Sequence, residues 1–321
     1  MPADGSPRII DTHHHIYPPN YAKAHVDRLI GDTPTLPASA YTGWTPHFAL
    51  EQMEKAGIAS ALGSMTSPGI WFDDGAAAAR ARARDCNEFG ARMASDFPGR
   101  FGMFAAIPLP DTDGSLAEIA YAFDVLKLDG VGVLTSYEGK LLGDPAFAPV
   151  FDELNRRKAK VFVHPTMSCG LHFPGIASPV IEFPTDTART IVSLIFSGTA
   201  SRCADITFIF SHGGGILPMV VQRFGRMVAG LTPEQRARML PQGLEHELRR
   251  QYYDLASVGA SPVGMTAVLK LLPVTQLTYG SDAPFGSATQ IADGIAKLGL
   301  AAADLRKVQR ENALRLFPRF A

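Results

Sequence analysis

A (β/α)8 barrel of the TIM type is the fold this sequence predicts, and three observations predict it. Short apolar runs alternate with longer helix-patterned segments along the whole chain, and there are eight such runs. Several are continuous rather than alternating, as in Val161-Phe162-Val163 and Phe208-Ile209-Phe210. Strand–helix alternation argues for a parallel sheet, and eight units argue for its closure. Continuous apolar runs mark strands covered on both faces. A doubly wound open sheet is the alternative that periodicity leaves open.

The elements follow in order. Arg8–Asp11 reads as the first strand, its Ile9-Ile10 pair ending in a polar cluster. The amphipathic segment Thr45–Ala56 leads to the second strand, Ala59–Ser64, and Ala76–Phe97 leads to the third, Phe101–Ile107. Ser115–Leu126 precedes the fourth, Gly130–Leu134, and Pro145–Arg157 precedes the fifth, Lys160–His164. Thr185–Cys203 carries the chain to the sixth strand, Ile206–Ser211. Two segments, Leu217–Val228 and Pro233–Gln251, separate it from the seventh, Tyr252–Leu255. Ser261–Leu271 joins that to the eighth, Gln276–Ser281, and the pair Ser287–Leu298 and Ala301–Phe317 closes the chain. No repeat, low-complexity tract or linker interrupts 1–321, so one domain is expected. The long loops, Tyr17–Trp44, Thr166–Pro184 and the region after the sixth strand, fall at C-terminal strand ends, where barrels build their sites.

Bulk properties narrow the function. With 46% hydrophobic and 19% charged residues the chain can fill a large core. Net charge is −1 with no basic stripe, which argues against nucleic acid as a partner. No apolar stretch reaches membrane-spanning length and no signal peptide is visible, so a cytoplasmic protein is expected. Cys86, Cys169 and Cys203 are odd in number and widely spaced, as reduced thiols would be.

The polar residues that end the apolar runs carry the chemistry. Beyond Asp11 stand His13 and His15, which alternation places on one side of the strand end, with His14 on the other. A chance polar cluster or a tag is the bland alternative for this triplet. The fifth strand ends in His164-Pro165, the sixth in Ser211-His212-Gly213-Gly214-Gly215 and the eighth in Gly280-Ser281-Asp282. If the barrel closes, these ends converge on one mouth. Three imidazoles and a carboxylate suit one divalent metal ion: Zn²⁺ first, with Mn²⁺ or Fe²⁺ as alternatives. His13, His15, His164 and Asp282 are the expected ligands. His212 is then a non-ligand acid or base, since three glycines let substrate approach it. The alternative for Gly213–Gly215, a flexible turn or phosphate loop, matches no phosphate-binding pattern. Asp11 reads as a supporting carboxylate.

These residues resemble the decarboxylase branch of the amidohydrolase superfamily, from Ile10 to about Asn312. The resemblance implies an amidohydrolase-type barrel and repeats the roles just given for His13, His15, His164, His212 and Asp282. The segments Trp44-Thr45-Pro46, Ser67-Pro68-Gly69-Ile70-Trp71-Phe72 and Phe183-Pro184-Thr185-Asp186-Thr187-Ala188-Arg189 look like a subgroup near the salicylate-type enzymes. The muconate-semialdehyde members carry a carboxylate-binding Arg where this chain reads His47–Met53, so a dicarboxylate substrate is not expected. Trp71 and Phe72 suggest a flat aromatic pocket. Arg223, eleven positions after His212, matches an Arg that reaches into a neighbouring subunit's site, which implies a homodimer or higher homo-oligomer. A solvated helix-surface Arg is the alternative. Arg189 is a second candidate for holding the substrate anion.

What the resemblance implies is non-oxidative loss of CO₂ from a small aromatic (salicylate- or resorcylate-type) or unsaturated carboxylic acid, by protonation at the carboxyl-bearing carbon. Asp282 would deliver the proton, or His212 would act as base to a metal-activated water. A hydrolase of the same superfamily, acting on a lactone, an amide or the C–C bond of a ring-fission product, is the rival. His25, His47, His172 and His246 are expected to be ordinary surface or loop residues.

Overall fold

Residues 8–167 and 176–321 are described by the computed structural model of the protein. Cys169 and His172 lie outside the described residues. Eight parallel strands, each inheriting its cover from the helix that follows, form one sheet: β1 (Ile9–His15), β2 (Ile58–Ser64), β3 (Phe101–Ala106), β4 (Gly130–Leu134), β7 (Lys160–His164), β8 (Thr207–Phe210), β9 (Tyr252–Asp254) and β10 (Leu277–Thr278), hydrogen-bonded in that order. A short antiparallel hairpin, β5 (Ser136–Tyr137) and β6 (Lys140–Leu141), follows β4 and has no counterpart in the sequence reading. The cylinder is closed by backbone bonds from β1 to the chain beyond β10. Thr12 N donates to Tyr279 O, Asp282 N to His13 O and His15 N to Ala283 O, each at 2.9 Å.

Strand alternation divides the interior into two layers. Ile10, Leu62, Phe104, Phe162 and Ile209 point inward and pack with Ala313, Leu316, Phe317 and Phe320 of the C-terminal segment. Their neighbours Ile9, Ala61, Val161, Val163, Phe208 and Phe210 point outward into the layer beneath the helices. A strand buried on both faces needs apolar residues at consecutive positions, which explains the continuous runs. The C-terminal segment thus fills one end of the barrel and leaves the other for polar groups.

The helices are α1 (Pro19–Asp32), α2 (Ala38–Thr42), α3 (Pro46–Ala56), α4 (Ala76–Asp96), α5 (Thr112–Asp124), α6 (Ala148–Arg156), α7 (Glu182–Phe196), α8 (Thr199–Arg202), α9 (Leu217–Ala229), α10 (Pro233–Met239), α11 (Leu244–Arg249), α12 (Pro262–Leu271), α13 (Ala288–Ala296), α14 (Ala302–Arg306) and α15 (Asn312–Leu316). Their ends obey local chemistry. Thr45 caps α3 by accepting from Phe48 N, Pro46 occupies the first turn, and Gly57 at φ 72° turns the chain into β2. Asp111 caps α5 by accepting from Gly114 N. Among the described residues no helix is long and apolar enough to cross a membrane, and Cys86 and Cys203 are buried free thiols.

Two strand ends differ from the sequence reading by more than one residue. β1 runs to His15 rather than Asp11, because the His14-His15 backbone still pairs with Gly63 and Ser64 of β2. β10 ends at Thr278 rather than Ser281, because the chain from Tyr279 onward turns to bond β1.

Candidate metal and acid–base site

Three backbone devices aim the polar side chains inward. Ile10 faces the interior, so strict alternation would send His14 inward and His13 outward. The ladder between β1 and β2 shifts register between Asp11 and His14. One irregularity of this kind exchanges the two faces of a strand. His13 therefore stands over the inward ring of Phe162, centroids 5.0 Å apart, and His15 lies edge-on to His13 at 4.9 Å. His14 turns to Asp11, its Nδ1 3.3 Å from Oδ2. Asp11 also accepts from Ser281 N and His13 N at 3.0 Å, and so ties β1 to the chain beyond β10.

His212 and Asp282 arrive by a second device. Both lie just past a strand end with left-handed backbones, at φ 55° and 57°. For residues bearing a Cβ this costs about 1–3 kcal/mol each, and it is found where the surroundings enforce it. His13 O receives Asp282 N, while Asp254 Oδ1 receives His212 N at 3.2 Å. The third device is a glycine. A Cβ at Gly280 would stand 2.7 Å from Asp254 Oδ1 and 2.9 Å from His13 Cβ, so only glycine lets β9 and β1 bring those side chains together.

The donor atoms of His13, His15, His164 and Asp282 lie within 4.8 Å of one another. Asp282 Oδ1 sits 3.2 Å from His13 Nε2 and 3.1 Å from His15 Nε2, and its Oδ2 is 3.3 Å from His212 Nε2. Each clustered imidazole has its Nδ1 beside an oxygen: His13 beside Asp254 Oδ2 at 3.0 Å, His15 beside Ser64 Oγ at 3.3 Å and His164 beside Pro165 O at 2.8 Å. With Nδ1 so engaged, Nε2 is the ring nitrogen left to face the centre, the arrangement metal-binding histidines adopt.

The electrostatics are those of a cation site. Burial opposes charge on His13, but the carboxylates of Asp254 and Asp282 outweigh it and hold its imidazole up at about 10. Burial and the neighbouring imidazoles keep His164 well below its ordinary value, and burial lowers His15. Burial alone would raise Asp282. The charge on His13 and hydrogen bonds from His13, His15 and His212 pull it well below the usual carboxylate range. A divalent cation in place of the His13 proton would satisfy the same carboxylates.

A cavity of about 590 Å³ opens onto His164, His212 and Asp282. Phe183, Pro184, Val180, Val258 and Phe285 form apolar walls, and Thr33, Thr35, Thr66, Ser257 and Ser261 supply hydroxyls. No arginine or lysine lines it among the described residues. The other residues expected at the substrate stand elsewhere in the single chain. Trp71 donates from Nε1 to Asp73 and Glu138, and Phe72 is buried with the guanidinium groups of Arg82 and Arg28 4.4 and 4.9 Å from its ring centre. Arg189 pairs with Asp186 at 3.0 Å on α7, and Arg223 is exposed on α9. Asp254 and Phe285 were not singled out from sequence, and Phe183 entered only within a segment of the resemblance. For Asp254 a signal existed: it is the acidic residue inside the run Tyr252–Leu255 read as the seventh strand, and in the structure it shares the inward face of Tyr252 two residues earlier.

Residues 10–319 match the amidohydrolase family. Decarboxylase macB of Penicillium terrestre is 36% identical over 333 residues, covering 97% of this chain and 95% of its own length. The 6-methylsalicylic acid decarboxylase of Penicillium expansum is 33% identical over 326 residues, covering 97% and 96%. Among solved structures, 5-carboxyvanillate decarboxylase from Novosphingobium aromaticivorans, complexed with manganese and a nitrobenzoic acid, superposes with a TM-score of 0.84 over 98% of this chain and 97% of that one, at 19% identity. The chain belongs to the amidohydrolase family.

Proposed function

We propose that the protein is a metal-dependent, non-oxidative decarboxylase of a small aromatic acid of the salicylate or resorcylate type. The observation that carries the reading is the convergence of three Nε2 atoms and one carboxylate beside an acid–base pair, on a cavity with aromatic walls. The relatives named as decarboxylases of aromatic acids point the same way. His13, His15, His164 and Asp282 would hold Zn²⁺ or Mn²⁺, both of which accept nitrogen and oxygen donors. When bound, such an ion supplies Lewis acidity to the substrate's carboxylate and hydroxyl oxygens.

The chain's own residues do the rest. Phe183, Phe285 and Val258 enclose the ring and exclude water, and the threonine and serine hydroxyls can bond its oxygens. A cavity to which the described residues of its own chain contribute no guanidinium, and a second copy at most Arg223, fits a monoacid better than a dicarboxylate. Loss of CO₂ from an intact ring would leave an aryl carbanion. A proton delivered first to the carboxyl-bearing carbon makes that carbon tetrahedral, and the C–C bond electrons return to the ring as CO₂ departs. Asp282 Oδ2 and His212 Nε2, 3.3 Å apart, are the groups positioned to hold and pass that proton.

A homodimer belongs to the same proposal. α9 leaves Met219 73% and Met227 56% exposed on the helix that carries Arg223, a surface suited to a second copy whose Arg223 could reach this site. The deciding experiment incubates metal-loaded and chelator-treated protein with 6-methylsalicylate and 2,6-dihydroxybenzoate in ¹⁸O-labelled water. CO₂ and the matching phenol should appear only with metal, and the phenol should carry no label. Inertness toward such acids, with labelled product formed from a lactone or amide, would establish the hydrolase instead.

A further inference from the structure

We propose that Asp254 is a positioning residue that serves two parts of the site at once, fixing the His13 imidazole for metal ligation and holding the backbone of His212 in its left-handed turn. The inference rests on the metal reading above and extends it to a residue outside the ligand set and the acid–base pair.

Asp254 ends β9, is fully buried, and uses both carboxylate oxygens. Oδ2 lies 3.0 Å from His13 Nδ1. Oδ1 accepts from His212 N at 3.2 Å and from Ala256 N at 2.9 Å. The two backbone amides are fixed donors, and His13 Nδ1 becomes a third when its ring carries the proton there, so an acceptor on both oxygens, as a carboxylate provides, suits all three partners. Of the three clustered histidines, His13 alone has a charged group at its Nδ1; the other two meet a hydroxyl and a carbonyl. A carboxylate there keeps the proton on Nδ1, leaves Nε2 as the donor to a cation and raises its basicity. The same carboxylate bonds the amide of the residue whose side chain flanks Asp282. A single buried group thereby sets the spacing between the metal ligand and the acid–base histidine. The missing Cβ at Gly280 is the space this pairing occupies.

Asp254→Asn is the discriminating change because the amide is nearly isosteric but cannot accept on both sides. With its oxygen toward His212 and Ala256, its NH₂ faces His13 Nδ1 and forces the imidazole proton onto Nε2, where it blocks ligation. In the flipped orientation the NH₂ meets two backbone N–H donors and displaces His212. Affinity for Zn²⁺ and Mn²⁺, measured by competition with a chelating indicator, should fall about 10–100-fold, with cooperative thermal unfolding retained. A second measurement uses the wild type, so that a variant that fails to fold leaves the idea testable. In ¹⁵N-histidine spectra of the zinc-loaded protein, the His13 proton should sit on Nδ1, hydrogen-bonded to a carboxylate. Undiminished metal affinity in the variant, or a His13 proton on Nε2 in the wild type, overturns this inference alone. Wild-type protein with no affinity for either cation overturns the metal reading, and this inference with it.

Discussion

Replacing His212 by Asn separates acid–base chemistry from metal binding. Asn is chosen because the position has φ 55°, a left-handed backbone that Asn tolerates better than most residues with a side chain. The imidazole meets the carboxylate of the cluster through Nε2, 3.3 Å from Asp282 Oδ2, whereas Asp282 Oδ1 is the oxygen facing His13 and His15. Truncation therefore removes a proton-transfer partner and leaves the four converging donors in place. The contact to an ionised carboxylate is worth about 1.5–3 kcal/mol, roughly 10–150-fold. Loss of a positioned acid or base costs about 10²–10⁴ in rate, or about 2.7–5.5 kcal/mol of barrier. Because the two effects share one atom they overlap, so kcat for CO₂ release should drop about 10²–10⁴-fold, with metal content unchanged and metal affinity within about threefold of wild type. CO₂ evolution from 6-methylsalicylate, metal analysis per chain and a thermal unfolding scan read the three quantities separately. Turnover within threefold of wild type would remove His212 from the proton path. Loss of metal would make it a ligand.

Three further changes test the site and its support. Asp282→Asn keeps a residue that tolerates φ 57° but removes the negative charge shared by His13, His15 and His212; it should weaken Zn²⁺ or Mn²⁺ binding by more than about 100-fold, read by equilibrium dialysis. Phe162→Ala empties the ring that stacks on Phe104 at 5.3 Å and lies under His13 at 5.0 Å; it should cost about 3–5 kcal/mol, or roughly 4–7 °C in Tm by circular dichroism. Glu153 is held down from 4.5 to about 2 by its hydrogen bonds to Arg156 and Arg157. Its depressed value means a contribution to stability that is complete above about 4.5 and lost as pH falls toward about 2. Glu153→Gln should flatten the Tm–pH curve within that window and nowhere else.

What could be read in the chain, and what could not, divides along the range of the interactions involved. Val161-Phe162-Val163 announces a strand because two-sided burial is decided locally by consecutive side chains, and Phe162 does face the interior while its neighbours face the helices. The polar residue ending such a run then belongs at the mouth, which is why His13, His15, His164, His212 and Asp282 were legible as a set. The route by which two of them get there was not. Counted from Ile10, the faces of β1 come out reversed, and only the register shift against β2 restores His13 and His15 to the interior. Its position depends on how Gly63 and the chain after β10 pair with β1. Trp71 and Phe72 do not line the cavity beside Asp282, for a related reason. An aromatic pair in a long loop has no intrinsic direction, and these two are claimed by Glu138 of the turn after β5 and by arginines from α1 and α4. Asp254 is the instructive case between these extremes. Its inward face follows from Tyr252 by simple alternation, but its purpose exists only because Gly280, His13 and His212, from three other places in the chain, close around it. Local pattern tells which way a side chain points, and only the closed barrel supplies what it points at.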